Sequence, residues 1–254
     1  MVPRLFPTAL VSAAMAVALG GAALLPGPAV AGDSGKPIVI ALEAPLTGDQ
    51  SSNGQDMLRG AQLAAMQVNK RGGVLGRPVS IVGIDDQADP ALARQAVDEA
   101  VAAGAVAVVG PYNSSVGLVN LGLYEDARIV PMRMTSDNRT EGYGATLQPM
   151  NSQISPVEVD FISGQGYRSV VMLVDPSAYT KSIAERTATG LEKAGVAVTR
   201  IMIPPSASDY SAEVSQALAL DPDLVYSATY YPEGDRKSSL NSSHIQKSRM
   251  PSSA

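Results

Sequence analysis

Two adjacent hydroxyls, Ser114 and Ser115, lie in GPYNSSVG (110–117), between the apolar run AVAVV and a segment with helical periodicity. Hydroxyls and free backbone N–H groups at a helix start form a seat for an anion, or simply cap the helix. Both readings stay open on these residues alone. Neither is catalytic: the segment lacks the G-x-S-x-G turn that would raise a serine as a nucleophile. The chain has no cysteine, which excludes thiol catalysis, disulfides and thiolate metal sites. Its one histidine, His244, falls in a Ser-rich tail, so His-based triads and acid–base schemes lose their usual residue. Asp85, Asp86 and Asp89 are oxygen donors, but the set is incomplete for Mg²⁺ or Ca²⁺ and suits strand-end turns and a helix cap better. SGQGYRS (163–169) resembles a dinucleotide fingerprint but precedes a strand, the wrong context. No enzyme, cofactor or metal is expected.

The elements that must position the two serines follow a regular order. PIVIALEAP (37–45), RPVSIVGIDD (77–86), AVAVVG (105–110) and RIVPMRM (128–134) read as strands, with Pro131 keeping part of the last out of regular pairing. Helices are predicted between them over 54–73, 89–104 and 114–127. The first places Met57, Ala61, Ala64, Ala65 and Val68 on one face; the second has Asp89 as N-cap and Pro90 at its first position. After a polar stretch the pattern resumes, with helices at 154–166, 179–195 and 208–220 and strands at 167–175, 196–203 and 223–229. Strands separated by helices imply parallel βαβ units, here an α/β fold of two Rossmann-like lobes. In such sheets ligands sit beyond the carboxyl ends of the strands. Those segments carry hydroxyls, amides and the tyrosines Tyr179 and Tyr230, with no nucleophile–base pair. That suits grasping a small polar molecule, although each tyrosine alone reads equally well as loop packing.

A basic start, an apolar stretch and AVA before Gly32 predict a secretory signal over residues 1–31, cleaved after Ala31; an uncleaved anchor is the rival. The net charge of −5 argues against a nucleic-acid partner.

In their order and spacing, PLTG, VNKRGGVLGRPV, DDQADP, VVGPYNSS, LYEDARIVPM, DPSAYTKS and YYPEG resemble the leucine/isoleucine/valine-binding proteins. These are extracytoplasmic solute receptors of ABC transporters with the type I periplasmic-binding-protein fold. The resemblance implies two hinged lobes, 32–150 and 151–234, closing on an amino acid, an amide or a similar small carboxylate. It implies delivery to an ABC transporter permease from a periplasmic or cell-wall location. By the resemblance, Ser114 holds the ligand carboxylate, Ser136 offers its backbone, Asn138 stands at a Thr or Ser position, and Tyr179 and Tyr230 line the cleft. Asn53 stands where some members place an aromatic residue. Asn53, Asn138 and Arg133 depart from a plain aliphatic pocket. Members with a disulfide place its cysteines where this chain has Ala88 and Asn113, so other contacts must hold that loop. After YYPEG the chain turns polar and Ser-rich (235–254), which reads as a disordered tail on a C-terminally truncated family member with an incomplete second lobe. A ligand-sensing module of the same fold, or a non-functional remnant, are the alternatives.

Overall fold

The computed structural model describes residues 35–205, 207–231 and 234; the predicted signal segment, the tail and His244 lie outside the described residues. Apolar β-branched runs form seven strands: β1 (Ile38–Ala44), β2 (Val79–Asp85), β3 (Ala107–Val109), β4 (Val130–Met132), β5 (Ser169–Val174), β6 (Ala197–Met202) and β7 (Leu224–Ala228). Six helices connect them: α1 (Ser51–Lys70), α2 (Ala93–Ala102), α3 (Ser114–Asp126), α4 (Asn151–Gly164), α5 (Ala178–Lys193) and α6 (Ser211–Ala219). Every predicted element is present, with ends shifted by a few residues. α1 and α4 begin three residues earlier than their apolar periodicity suggests, because polar residues complete a helix's first turn without needing burial. Asp89 caps a 3-10 turn over Pro90–Leu92, accepting from the Ala91 N–H at 2.8 Å, and α2 follows it.

All strand pairs are parallel, in two sheets of order β2-β1-β3-β4 and β6-β5-β7. Each sheet reverses its winding beside its first strand, between β1 and β3 and between β5 and β7. Loops leaving the two central strands there part to opposite faces and open a crevice. β4 is an edge strand of the described sheet, where proline is tolerated. Pro131 keeps register opposite Val108, and its carbonyl turns outward to accept from the Ala145 N–H at 3.0 Å. Only Val130–Met132 of the predicted 128–134 is paired, and Pro131 itself, expected to keep part of the segment out of pairing, stands inside the paired part because the edge position tolerates it.

The core is layered. Ala41, Ile84 and Val108 of the first sheet pack on Ala96, Val97 and Ala100 of α2 and Tyr124 of α3. In the second sheet Val170, Met172 and Val174 face Ile183, Ala188 and Leu191 of α5, while Val171 and Leu173 face Val214 and Ala217 of α6. On the predicted face of α1 only Ala65 is buried and Ala64 is exposed; Leu58 instead reaches Gly83 of β2, whose lack of a side chain leaves room for it. Burying both faces of each sheet is what makes its strands read as continuous apolar runs.

Candidate functional site

The seat begins at Gly110. Its φ of +120° takes the chain out of β3, and a Cβ there would lie 2.1 Å from the Glu43 carbonyl oxygen of β1. Only glycine permits that approach. Tyr112 and Asn113 follow, and α3 starts at Ser114. Asn113 is the N-cap residue, in extended conformation, and makes no side-chain cap bond; its carbonyl accepts from the Val116 and Gly117 N–H groups. Ser114 and Ser115 therefore do not cap the helix, and their own N–H groups precede the intrahelical ladder. The Ser114 hydroxyl accepts from the Asp137 N–H at 3.3 Å, and the Ser115 hydroxyl accepts from the Ala178 N–H at 3.0 Å. Ser115 thereby ties the start of α3 to the start of α5.

Three tyrosines from different strand ends meet over Ser114. The Tyr230 ring lies 5.7 Å from that of Tyr112 and 5.5 Å from that of Tyr179, both tilted. Such tilted pairs are the favoured aromatic geometry. Together with Ser114, Ser136 and Met134 they line a cavity of about 250 Å³, and among the described residues its lining carries no charged side chain. Burial raises the phenol pKa values of Tyr112, Tyr179 and Tyr230; for Tyr230 the neighbouring Tyr112, Asp175 and Tyr179 add to the rise, while the Ser114 N–H opposes it. All three stay neutral hydroxyls, able to donate and accept hydrogen bonds but not to act as bases.

The cavity brings together Ser114, Ser136, Tyr179 and Tyr230. Ser115 lies outside it and lines a separate cavity of about 540 Å³, which also touches Tyr230, Asn113 and Asp175. Asn138 is elsewhere. Its amide bonds Ser152, donating to the hydroxyl at 2.7 Å and accepting from the N–H at 2.9 Å, and it lines a groove against α4 and α5. Asn53 sits in the first turn of α1, outside the linings of these cavities. Arg133 is buried and donates to the Tyr143 and Thr135 carbonyls at 2.9 and 3.1 Å, so it does not shape the pocket. At the two positions where the resemblance implies a disulfide in other members, Asn113 donates to Gln50 at 3.0 Å and the Ala88 N–H donates to Asp86 at 2.9 Å. Tyr112, Met134 and Tyr231 were within reach of the strand-end rule. Gln148 was not, because it returns to the site through the long connection that pairs Ala145 with Met132.

The three aspartates do turn chemistry. Asp85 accepts from the Leu46, Thr47 and Gln87 N–H groups at 2.8, 3.1 and 3.1 Å, fastening the β1–α1 loop to the end of β2. Among the described residues no group of three or more His, Cys, Asp or Glu could hold a metal, and no helix is long and apolar enough to cross a membrane.

The sequence pattern of the periplasmic binding proteins matches residues 37–233, nearly all of the described chain. The chain belongs to the periplasmic binding protein family. This family is made up of solute-binding proteins. Among its relatives, the Leu/Ile/Val-binding protein BraC3 of Rhizobium johnstonii is 30% identical over 204 residues, covering 78% of this chain and 56% of BraC3. The Leu/Ile/Val-binding protein of Escherichia coli is 26% identical over 203 residues, covering 77% of this chain and 55% of that one. This periplasmic binding protein thus spans little more than half the length of these relatives. Its fold is that of Streptococcus pneumoniae LivJ solved with isoleucine (TM-score 0.75, 23% identity, 83% of this chain and 62% of that one). It is equally that of a Rhodopseudomonas palustris solute-binding protein solved with 3,4-dihydroxybenzoic acid (TM-score 0.74, 17% identity, 84% and 59%).

Proposed function

We propose that this chain acts outside the cytoplasmic membrane as the ligand-capturing part of a solute receptor for an ABC importer, with lobes 32–150 and 151–234. The ligand is a small carboxylate: an amino acid, an amide-bearing relative of one, or an aromatic acid. One observation carries the reading. At the switch points of two parallel sheets, a hydroxyl and helix-start N–H groups at Ser114 face a half-buried trio of tyrosines across a cavity of about 250 Å³. Neutral hydroxyls and backbone N–H groups can hold a carboxylate without an opposing charge, helped by the positive end of α3. The ringed lining, with Met134 as its one non-aromatic apolar side chain among the described residues, favours a polar or aromatic ligand body over a branched aliphatic one. The relatives bind Leu, Ile and Val by name, and one neighbour holds a benzoic acid, so both classes belong in the test.

Thermal unfolding of the chain is followed with and without a panel of amino acids, amides and benzoates. A ligand bound to the folded state raises the midpoint. Ser114→Ala lowers the affinity for the active compound by roughly tenfold to a hundredfold, the loss of one hydrogen bond to a charged group. A cooperative transition that no member of the panel moves overturns the reading.

A further inference from the structure

Glu43, Asp86, Asn120 and Tyr124 are wholly buried, and the seat for the ligand does not use them. Strand register assembles them. Glu43 stands opposite Ile84, and the Asp86 N–H continues the ladder to the Ala44 carbonyl at 3.2 Å. Asp86 therefore shares the face of Ile84 and lies diagonally across from Glu43. That face packs on α3, where Asn120 and Tyr124 are neighbours one turn apart.

Three of the seven side-chain polar atoms in this cluster are satisfied. Asn120 donates to Glu43 Oε1 at 2.6 Å, and the Ala88 N–H donates to Asp86 Oδ1 at 2.9 Å. Glu43 Oε2, Asp86 Oδ2 and Asn120 Oδ1 are buried with no hydrogen bond, and the Tyr124 hydroxyl, which makes none of full geometry, lies near enough to the Glu43 carboxylate to offset part of its rise in pKa. The charges bearing on the cluster are acidic: Asp86 on Glu43, Asp85 on Asp86, and Glu43, Asp86 and Glu99 on Tyr124. Two carboxylates so enclosed do not both ionise, because each raises the cost of charging the other. A single proton converts two orphaned acceptors into a donor and an acceptor.

We propose that Glu43 and Asp86 share one proton in the folded chain, and that this proton keeps α3 seated on the first sheet. The direction of titration agrees. Burial, and next the Asp86 charge, raises Glu43 from 4.5 to about 8, and burial raises Asp86 from 3.8 to about 6. For a carboxyl with a raised folded pKa, the stabilisation is whole below the unfolded value. It is lost as pH climbs through the folded value. The window here runs from about 4.5 to about 8 and is flat above it. Because α3 begins at Ser114, loosening it would also unseat the ligand; that consequence alone rests on the proposed function.

The test needs no ligand. Infrared spectra of the full chain near neutral pH report the carbonyl stretch of a protonated carboxyl, and circular dichroism reports the thermal midpoint across the window. The wild type shows the protonated-carboxyl band and a midpoint that falls with pH. Glu43→Gln, which mimics the protonated side chain and keeps the Asn120 contact, loses the band and most of that fall. If Glu43→Gln does not fold, Asp86→Asn replaces it: burial still raises Glu43, but without the Asp86 charge the fall in midpoint moves to lower pH. Absence of the band from the wild type, or an unchanged pH slope in a folded variant, overturns the proposal.

Discussion

Replacing Gly110 by alanine tests whether the close crossing of β1 and β3 carries the site. The new Cβ would meet the Glu43 carbonyl oxygen at 2.1 Å, its carbon at 3.1 Å and the Glu43 Cβ at 3.3 Å. An ordinary carbon–oxygen contact is about 3.3 Å, so relief takes a displacement of more than about 1 Å. Both partners are backbone in a paired parallel ladder, Leu42 opposite Val109 one residue before each, and no flexible side chain can give way. The φ of +120° adds strain of its own for any residue with a Cβ, about 1–3 kcal/mol. Forcing a methyl into a filled site costs a further 1–3 kcal/mol or so. Together these predict a loss of about 4 kcal/mol, a large share of the roughly 5–15 kcal/mol that holds a domain together. In urea, with a slope of about 2 kcal/mol per molar, the midpoint should fall by about 2 M. Gly195→Ala is the control: its φ is +84° with nothing within 4 Å of the added Cβ, so it should cost about 1 kcal/mol. A Gly110→Ala midpoint within about 0.5 M of wild type would refute the reasoning, because the two strands would then have slack that the geometry denies.

Met172→Ala empties a fully buried position at the centre of the second sheet and should cost about 2–5 kcal/mol in denaturant unfolding, with little change in slope. Asp223 accepts from the Arg168 and Ser169 N–H groups at 2.7 and 3.0 Å, and these bonds hold its carboxyl below the usual carboxylate range. A lowered folded pKa gives stabilisation that is present above the unfolded value and lost as pH falls through the folded one. Wild type and Asp223→Asn should accordingly differ in thermal midpoint near neutrality and converge in acid. A gap that persists unchanged in acid would show that the carboxylate charge is not what matters there.

Much of the scaffold was legible because its signals are local. Alternating apolar runs and amphipathic segments name the strands and helices, Gly104 and Gly195 close their helices at positive φ, and Asp89 with Pro90 starts a turn. The parallel arrangement follows from connection length alone. The strand-end rule then points to the segments that carry Ser114, Ser136, Tyr179 and Tyr230, since a parallel sheet delivers every such segment to one edge, and the family resemblance names these residues within them. Asn138 shows the limit of that rule: it leaves the same edge, but its amide is taken up by Ser152 at the start of α4. By the resemblance Arg133 departed from a plain aliphatic pocket, yet its guanidinium is spent on the backbone carbonyls of Tyr143 and Thr135.

By itself the sequence determined the α/β class, the order of elements, the family, and the absence of thiol chemistry, because each depends on residue types and short spacings. Only the tertiary structure decided which strand-end residues share a cavity, that Ser115 ties α3 to α5 instead of lining that cavity, and that Glu43 is buried diagonally across from Asp86 in the first sheet. Those facts depend on strand order and register, which bring together residues far apart in the chain, and no local pattern encodes such distances.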